Sequence, residues 1–258
     1  LYHLNKIKEM YPNSLIILVM SGNITERGDL SIINKWDKTL IALHYGIDLV
    51  VELPFTFSSQ SADIFCYGGM SILNHLKVDK VIFGSECNNI SDLTKIAKTQ
   101  LNNKEYNIAI KNYLKEGYNY PTALSKALKD ITLIDVKEPN DILAIGYIRE
   151  IITNNYNIEP ICIKRTNNYN DLSLNNYISS ATSIRHALYN NEDISNQVPK
   201  YTLKYLHNLR YTEDYYPYLK YKIISEINNL DKYQTVDKNI IPRIKKYILQ
   251  SNSLEELI

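Results

Sequence analysis

A run of hydroxyl side chains followed by an arginine is one candidate anion-binding segment of this chain. Residues 179–185 read Ser-Ser-Ala-Thr-Ser-Ile-Arg and stand where an apolar helical pattern begins. The first amides of a helix lack partners within the helix, and the helix dipole favours negative charge there. Ser180 and Arg185 are therefore candidates to contact a phosphate. The alternative is an ordinary helix cap at Ser180 beside a solvent-exposed Arg185.

Small and polar residues also follow four apolar segments that read as strands. Ligands of open parallel sheets bind beyond the carboxyl ends of the strands, and glycine lets a ligand approach the backbone closely. Asn23 and Arg165 would supply hydrogen bonds or charge, although a glycine after a strand is also an ordinary turn residue. The four segment ends read Ser21-Gly22-Asn23, Glu52-Leu53-Pro54, Gly84-Ser85-Glu86 and Arg165-Thr166.

Basic residues interleaved with aromatic residues occur in two groups after Pro199. Such a pattern suits RNA, because phosphates attract the cations and bases stack on aromatic rings. Each group taken alone is equally compatible with a solvated helix face. The first group is Lys200, Lys204 and Arg210, and the second is Arg243, Lys245 and Lys246.

The elements that must position these residues alternate between helix and strand. Apolar runs predict strands at 15–20, 49–53, 80–83 and 161–164. Helical spacing of apolar residues predicts helices at 1–10, 32–45, 62–76, 140–152 and 180–189. This alternation indicates βαβ units, hence an α/β fold with a parallel sheet. Several short helices are predicted as an insertion at about 91–135, and the pattern after residue 199 is helical to the end.

Composition argues against several classes of protein. The 29 Lys and Arg nearly balance the 28 Asp and Glu, so any basic surface must be local. Cys66, Cys87 and Cys162 are widely spaced, which predicts neither a disulfide framework nor a zinc or other metal site. No apolar run approaches the roughly 20 residues that cross a bilayer, and no signal peptide is recognisable. We therefore expect a cytoplasmic protein with reduced thiols and no membrane partner.

Several segments together resemble the HIGH-type nucleotidyltransferases, and among them the tRNA(Met) cytidine acetate ligase family. The sequence Ser-Ala-Thr-Ser-Ile-Arg at 180–185 resembles the second signature of these nucleotidyltransferases. Further similar segments follow in the family's order, and the likeness covers roughly residues 1–190. These segments are 19–23, 27–28, 35–36, 46–54, 60–63, 83–86, 139–143 and 164–165.

The resemblance implies a Rossmann-like nucleotidyltransferase domain that binds ATP at 1–195, followed at 196–258 by the start of a helical domain that contacts tRNA. It implies that ATP, with Mg²⁺, activates acetate to acetyl-adenylate and pyrophosphate. The acetyl group would then pass to N4 of the wobble cytidine of elongator tRNA(Met). Ser180 and Arg185 would lie near the phosphates, and the two basic groups near the tRNA. The implied ATP contacts are Leu1, Tyr2, His3, Gly84, Asn140 and Arg165.

Two departures from the family pattern affect these expectations. The family's His-x-Gly-His motif would stand just before Leu1 and is absent, so the catalytic residues are unknown and the central first strand is expected to be missing. The strands at 15–20 and 80–83 would then each show an unpaired edge, and this chain on its own would be inactive. The loop Tyr169-Asn170-Asp171 also lacks a histidine that relatives often carry. Relatives are longer at the C-terminus, so the chain is expected to stop inside its second domain.

Two other functions remain open from the sequence. One is a small-molecule adenylyltransferase, which would move AMP onto a phosphorylated compound. The other is a tRNA-binding protein without catalysis.

Overall fold

A computed structural model of the chain describes residues 1–165, 179–234 and 236–257. Its strands are β1 (Ile17–Ser21), β2 (Leu49–Leu53), β3 (Lys80–Ser85) and β4 (Glu159–Lys164). The helices of the first part are α1 (Tyr2–Met10), α2 (Lys35–His44), α3 (Phe55–Ser58), α4 (Ala62–His75), α5 (Ile90–Asn102), α6 (Lys104–Lys115), α7 (Tyr120–Thr132), α8 (Pro139–Asn154) and α9 (Ala181–Tyr189). The later α-helices are α10 (Tyr216–Ser225), α11 (Ile241–Tyr247) and α12 (Leu254–Leu257), and 3₁₀ helices span Lys200–Tyr205, Thr212–Tyr215 and Leu230–Lys232.

The four strands form two parallel pairs. β1 pairs with β2, and β3 pairs with β4 in a register that sets Gly84 opposite Ile163. Helices connect the strands of each pair, which confirms the predicted α/β class with parallel strands and a helical C-terminal region. β1 begins two residues later than predicted, because Leu15 is 83% exposed and pairs with nothing in β2. β4 begins two residues earlier, because Glu159 already lies opposite Lys80.

An apolar cavity of about 690 Å³ separates the two strand pairs. Within the described residues, β1 and β3 are not paired with each other, as expected for strands that each keep one free edge. Both strands contribute side chains or backbone to the lining: Ile17, Leu18 and Val19 from β1, and Val81, Ile82 and Phe83 from β3. The expected inactivity of this chain on its own stays a prediction.

The insertion at about 91–135 forms three helices, α5, α6 and α7, of 12 or 13 residues each, which is longer than the short helices predicted. An asparagine begins each helix: the side chains of Asn89, Asn103 and Asn119 accept hydrogen bonds from amides of the first turn. α5 packs against α8, α7 packs against α5 and α6, and all three helices contribute to the main core, which also contains Phe83 and Ile148. α2 also begins at an asparagine, Asn34, and so starts three residues later than predicted.

The C-terminal region is helical, as predicted, and consists of short α-helical and 3₁₀ segments. Tyr216, Ile248 and Leu257 form a small separate core there. Part of the region packs on the α2 side of the first domain, where the rings of Tyr201 and His44 stack with centroids 3.7 Å apart. The predicted boundary between residues 195 and 196 stays a prediction. Among the described helices, none is long and apolar enough to cross a membrane.

Candidate functional site

The carboxyl ends of β3 and β4 bring Gly84 and Arg165 into contact. The Arg165 amide donates to the Ser85 carbonyl at 3.0 Å, which extends the parallel ladder by one residue. The Arg165 side chain then lies across Gly84, where a Cβ atom would stand 3.2 Å from Arg165 Cγ. The missing side chain at residue 84 therefore lets the arginine lie against the strand.

Glu86 joins Arg165 to the first turn of α8. Asn140 Nδ2 donates to Glu86 Oε1 at 2.6 Å, and Arg165 Nε lies 3.4 Å from the same oxygen. Arg165 Nη1 reaches Asn140 Oδ1 at 3.5 Å, which is long for a hydrogen bond. Three residues expected to contact ATP, namely Gly84, Asn140 and Arg165, are thus brought to one place, with Glu86 between two of them.

A buried carboxylate, Asp141, holds the loop that follows β3. Asp141 is 3% exposed, and it accepts hydrogen bonds from Ser85 Oγ at 2.5 Å and from the Glu86 amide at 3.0 Å. The Cys87 amide donates to its other oxygen at 3.1 Å. These donors satisfy the charge, and the N-terminal turn of α8 is a favourable place for it. The loop at the edge of the site is therefore fixed to the helix that carries Asn140.

His3, in the first turn of α1, lies within electrostatic range of Arg165. Burial lowers the pKa of His3, and the positive charge of Arg165 lowers it further. Its Nε2 atom is buried and makes no hydrogen bond within the described residues. A neutral imidazole is therefore available at the edge of the site. Leu1 and Tyr2 are 53% and 39% exposed, and their predicted ATP contacts stay predictions.

The helix start at Ser180 matches the alternative of an ordinary cap. Ser180 Oγ accepts the Ser183 amide at 2.9 Å, and both serines are buried. Arg185 is exposed, and its Nη2 donates to Thr182 Oγ1 at 3.2 Å, one turn earlier on the same helix. Contact of Ser180 or Arg185 with phosphate therefore stays a prediction. Thr166 and the loop at 169–171 lie outside the described residues.

Residues at the carboxyl ends of β1 and β2 make polar contacts with the start of α2. Asn23 Oδ1 accepts the Lys35 amide at 2.9 Å and so holds the start of α2. Lys35 Nζ pairs with Glu52 at 2.7 Å. Lys38 Nζ donates to the carbonyls of Ser21 and Gly22, and burial lowers its pKa. Asn23 thus serves the fold here.

The two predicted RNA-binding groups lie on separate elements and are exposed. Lys200 and Lys204 belong to the 3₁₀ helix Lys200–Tyr205, where Lys204 Nζ stands 4.6 Å from the ring centroid of Tyr201. The Arg210 amide donates to the Ile32 carbonyl, and Arg210 is exposed. Arg243, Lys245 and Lys246 lie on α11. Their contact with RNA stays a prediction.

The cluster formed by Gly84, Asn140 and Arg165 can bind a polyanion. Arg165 supplies a cation, Asn140 an amide, and the first turn of α8 the positive end of a helix dipole. The described residues contain no group of three or more His, Cys, Asp or Glu side chains that would hold a metal ion.

The sequence-based predictions missed Glu86 and Asp141 as members of the site. Both residues stand beside predicted ATP contacts, in the segments 84–86 and 139–141. A carboxylate next to a predicted ligand contact was the available indication. The hydrogen bonds that join these segments across 55 residues appear only in the folded chain.

A protein-family comparison matches the whole chain, residues 1–258, to the family described as HIGH Nucleotidyl Transferase. The tRNA(Met) cytidine acetate ligase of Mycoplasma mobile is 38% identical over 261 residues, which cover 100% of this chain and 86% of that protein. The protein of the same name from Fusobacterium nucleatum is 39% identical, covering 99% of this chain and 66% of its own length.

Two crystal structures of Thermotoga maritima TmcAL share the fold at 27% identity. The apo form I aligns with a TM-score of 0.92 over 99% of this chain and 66% of that chain. The form II crystal, bound with alpha-thio ATP, aligns with a TM-score of 0.89 over 99% and 65%. This chain thus spans about two thirds of the length of the solved structures. On the full-length family match and these identities, it belongs to the HIGH nucleotidyl transferases and, among them, to the tRNA(Met) cytidine acetate ligase family.

Proposed function

We propose that this protein activates acetate with ATP and transfers the acetyl group to N4 of the wobble cytidine of elongator tRNA(Met). The observation that carries the proposal is the meeting of Gly84, Asn140 and Arg165 at the carboxyl ends of β3 and β4. Relatives at 38–39% identity bear the ligase name, and a structural neighbour binds alpha-thio ATP. These comparisons support ATP as the ligand of this cluster.

In the proposed complex, ATP lies at the edge formed by β3, β4 and the first turn of α8. The Gly84 backbone allows close approach, and Arg165 and Asn140 supply hydrogen bonds to the nucleotide. The neutral imidazole of His3, at the start of α1, contributes a ring nitrogen as a further hydrogen-bonding group for the nucleotide. Mg²⁺ would enter with the ATP phosphates as part of the substrate, because such ions are held largely by the phosphates themselves.

The first chemical step joins acetate to AMP. A carboxylate oxygen of acetate attacks the α-phosphorus, and the bond to the bridging oxygen breaks to release pyrophosphate. Negative charge develops on the phosphate oxygens, where a fixed cation such as Arg165 is most effective. The protein needs to position the two reactants and stabilise this charge, without forming a covalent intermediate of its own.

The second step moves the acetyl group to the tRNA. The cytosine N4 amine is a weak nucleophile, because its lone pair is delocalised into the ring, and acetyl-adenylate compensates by offering AMP as a good leaving group. N4 attacks the acyl carbon, AMP departs and N4 loses a proton. The wobble base lies in the anticodon loop, where it is unpaired and can be turned out of the stack. The exposed basic groups of the C-terminal region would bind the RNA backbone.

Pyrophosphate exchange into ATP by the intact protein tests the first step. We expect exchange that requires acetate, and an Arg165→Ala variant about 100-fold lower in kcat/KM. Lys137→Ala is the matched control, because Lys137 is an exposed cation just before α8 that pairs only with Asp135 among the described residues. Its exchange rate should equal that of the wild type.

Two results would favour the other candidate functions. Exchange that ignores acetate but responds to a phosphorylated small molecule would indicate an adenylyltransferase. Tight tRNA binding without any exchange would indicate a binding protein without catalysis.

A further inference from the structure

We propose that Glu86 is a positioning residue of the nucleotide site, holding Arg165 and Asn140 so that their remaining donors face ATP. The inference rests on the proposed function and deepens it. Simple electrostatics disfavours a carboxylate within a site for a polyanion, and a positioning role explains why Glu86 lies there.

Glu86 is held firmly enough to position other groups. Its Oε2 accepts the Asp141 amide at 3.1 Å, and its own amide donates to Asp141 Oδ1 at 3.0 Å. This reciprocal pair joins the loop after β3 to α8 through two hydrogen bonds. Only 16% of the Glu86 side chain is exposed. The carboxylate is thus a fixed point between the loop and the helix.

The contact with Arg165 is made through the inner nitrogen of the guanidinium. Glu86 Oε1 lies 3.4 Å from Nε, and Nε is buried without a hydrogen bond inside the described part of the chain. The interaction is therefore chiefly electrostatic. Among the described residues, Nη1 makes the long 3.5 Å contact with Asn140 Oδ1 and no other polar contact. The outer edge of the guanidinium, which forms bidentate bonds to phosphate, is thus not occupied by any described residue.

This arrangement favours positioning over competition with the ligand. A carboxylate that competed with phosphate would occupy the outer fork of the guanidinium. Glu86 instead contacts the Nε side, and it takes one Asn140 Nδ2 hydrogen at 2.6 Å, which leaves the second hydrogen for a ligand. Glu86 restricts the motion of Arg165 and Asn140. Its negative charge also reduces the attraction of the site for ATP.

The direction in which the affinity for ATP changes in Glu86→Gln distinguishes positioning by Glu86 from competition with the ligand. Equilibrium binding of ATP to the intact protein is compared for wild type, Glu86→Gln and Glu138→Gln. Glu138 is the matched control, because it is exposed at the start of the same helix and makes no capping hydrogen bond. Positioning predicts about tenfold weaker ATP binding for Glu86→Gln and no change for Glu138→Gln. Unchanged or tighter binding by Glu86→Gln would overturn the proposal.

A double-mutant cycle tests whether Glu86→Gln weakens ATP binding only through a general loss of structure. In an Arg165→Lys background the Nε group is gone, so Glu86→Gln should weaken ATP binding by less than about threefold. Thermal unfolding of each variant shows whether the fold persists. If the two substitutions instead act independently, Glu86 does not work through Arg165, and the proposal is wrong.

The binding assay also separates this inference from the proposed function. A wild type that binds ATP but never activates acetate would refute the ligase function, and the Glu86 comparison would still decide the positioning role. A wild type that does not bind ATP would refute the site itself and this inference with it.

Discussion

Arg165 shows how the place of one side chain depends on the absence of another. It lies across β3 because Gly84 has no Cβ, and the inner side of its guanidinium faces Glu86. The resemblance to the nucleotidyltransferases predicted Gly84, Asn140 and Arg165. The carboxylates that fix them, Glu86 and Asp141, were not predicted, because their partners are set by contacts between distant segments.

Substituting Gly84 with alanine should weaken ATP binding while leaving the fold intact. The new methyl carbon would stand 3.2 Å from Arg165 Cγ, so the arginine must shift by a few tenths of an ångström. A bidentate contact tolerates such a shift poorly, and we expect about a tenfold loss of ATP affinity by calorimetry. Wild-type affinity in Gly84→Ala would show that Arg165 does not need its present place.

The His3 imidazole should titrate below its ordinary value of 6.5, because burial and the charge of Arg165 both favour the neutral form. Since folding lowers this pKa, protonation of His3 opposes the folded state as the pH falls below about 6.5. Bound ATP adds negative charge beside the ring and should raise the pKa again. NMR titration with and without ATP measures both effects. A midpoint that ATP leaves unmoved would place His3 outside the site.

At the scale of elements, hydrophobic periodicity predicted what each segment is, and local hydrogen bonds decided where it begins. Asparagine caps at residues 34, 89, 103 and 119 start four helices. The predicted start of α2 was three residues early, because Ile32 and Ile33 continue the apolar spacing ahead of that cap. The division of the strands into two pairs was expected from the family resemblance, which places a further strand between 15–20 and 80–83, and periodicity alone does not contain it.

The close packing of α4 on α8 depends on Gly146. A Cβ there would stand 2.6 Å from the sulfur of buried Cys66, so Gly146→Ala must push the helices apart. We expect a loss of about 1–3 kcal/mol in the free energy of unfolding, measured by denaturant titration.

Gly69→Ala in α4 is the matched control for Gly146. A Cβ there would meet nothing within 4 Å, so the better helix propensity of alanine should raise stability by about 0.5–1 kcal/mol. A stabilised Gly146→Ala variant would contradict the packing described here.

At the scale of the whole molecule, the C-terminal region is joined to the first domain through aromatic and backbone contacts. Tyr201 stacks on His44, and its amide donates to the hydroxyl of Tyr45. This contact places the Lys200 and Lys204 backbone beside α2, whereas α11, which carries the other basic residues, packs through Ile244 against the small separate core. The two basic groups could be predicted from the sequence, but their location on different parts of the fold could not.

Neutralising Lys200 and Lys204 together should weaken tRNA binding and its dependence on salt. Each lysine that contacts a phosphate contributes close to one to the slope of log affinity against log salt. A Lys200→Gln, Lys204→Gln variant should therefore lower the slope by about two. Lys111→Gln, Lys115→Gln on α6 is the control and should bind as the wild type does. Equal slopes for all three proteins would exclude the 3₁₀ helix from the RNA interface.

Acetyl transfer to tRNA tests most directly the proposal that ATP activates acetate as an adenylate for transfer to the wobble cytidine. Labelled acetate, ATP and elongator tRNA(Met) are incubated with the intact protein, beside a tRNA whose wobble cytidine is replaced by uridine. We expect label in the cytidine-containing tRNA alone, with one AMP and one pyrophosphate released for each acetyl group transferred. Release of ADP and phosphate, or equal labelling of both tRNAs, would refute this mechanism.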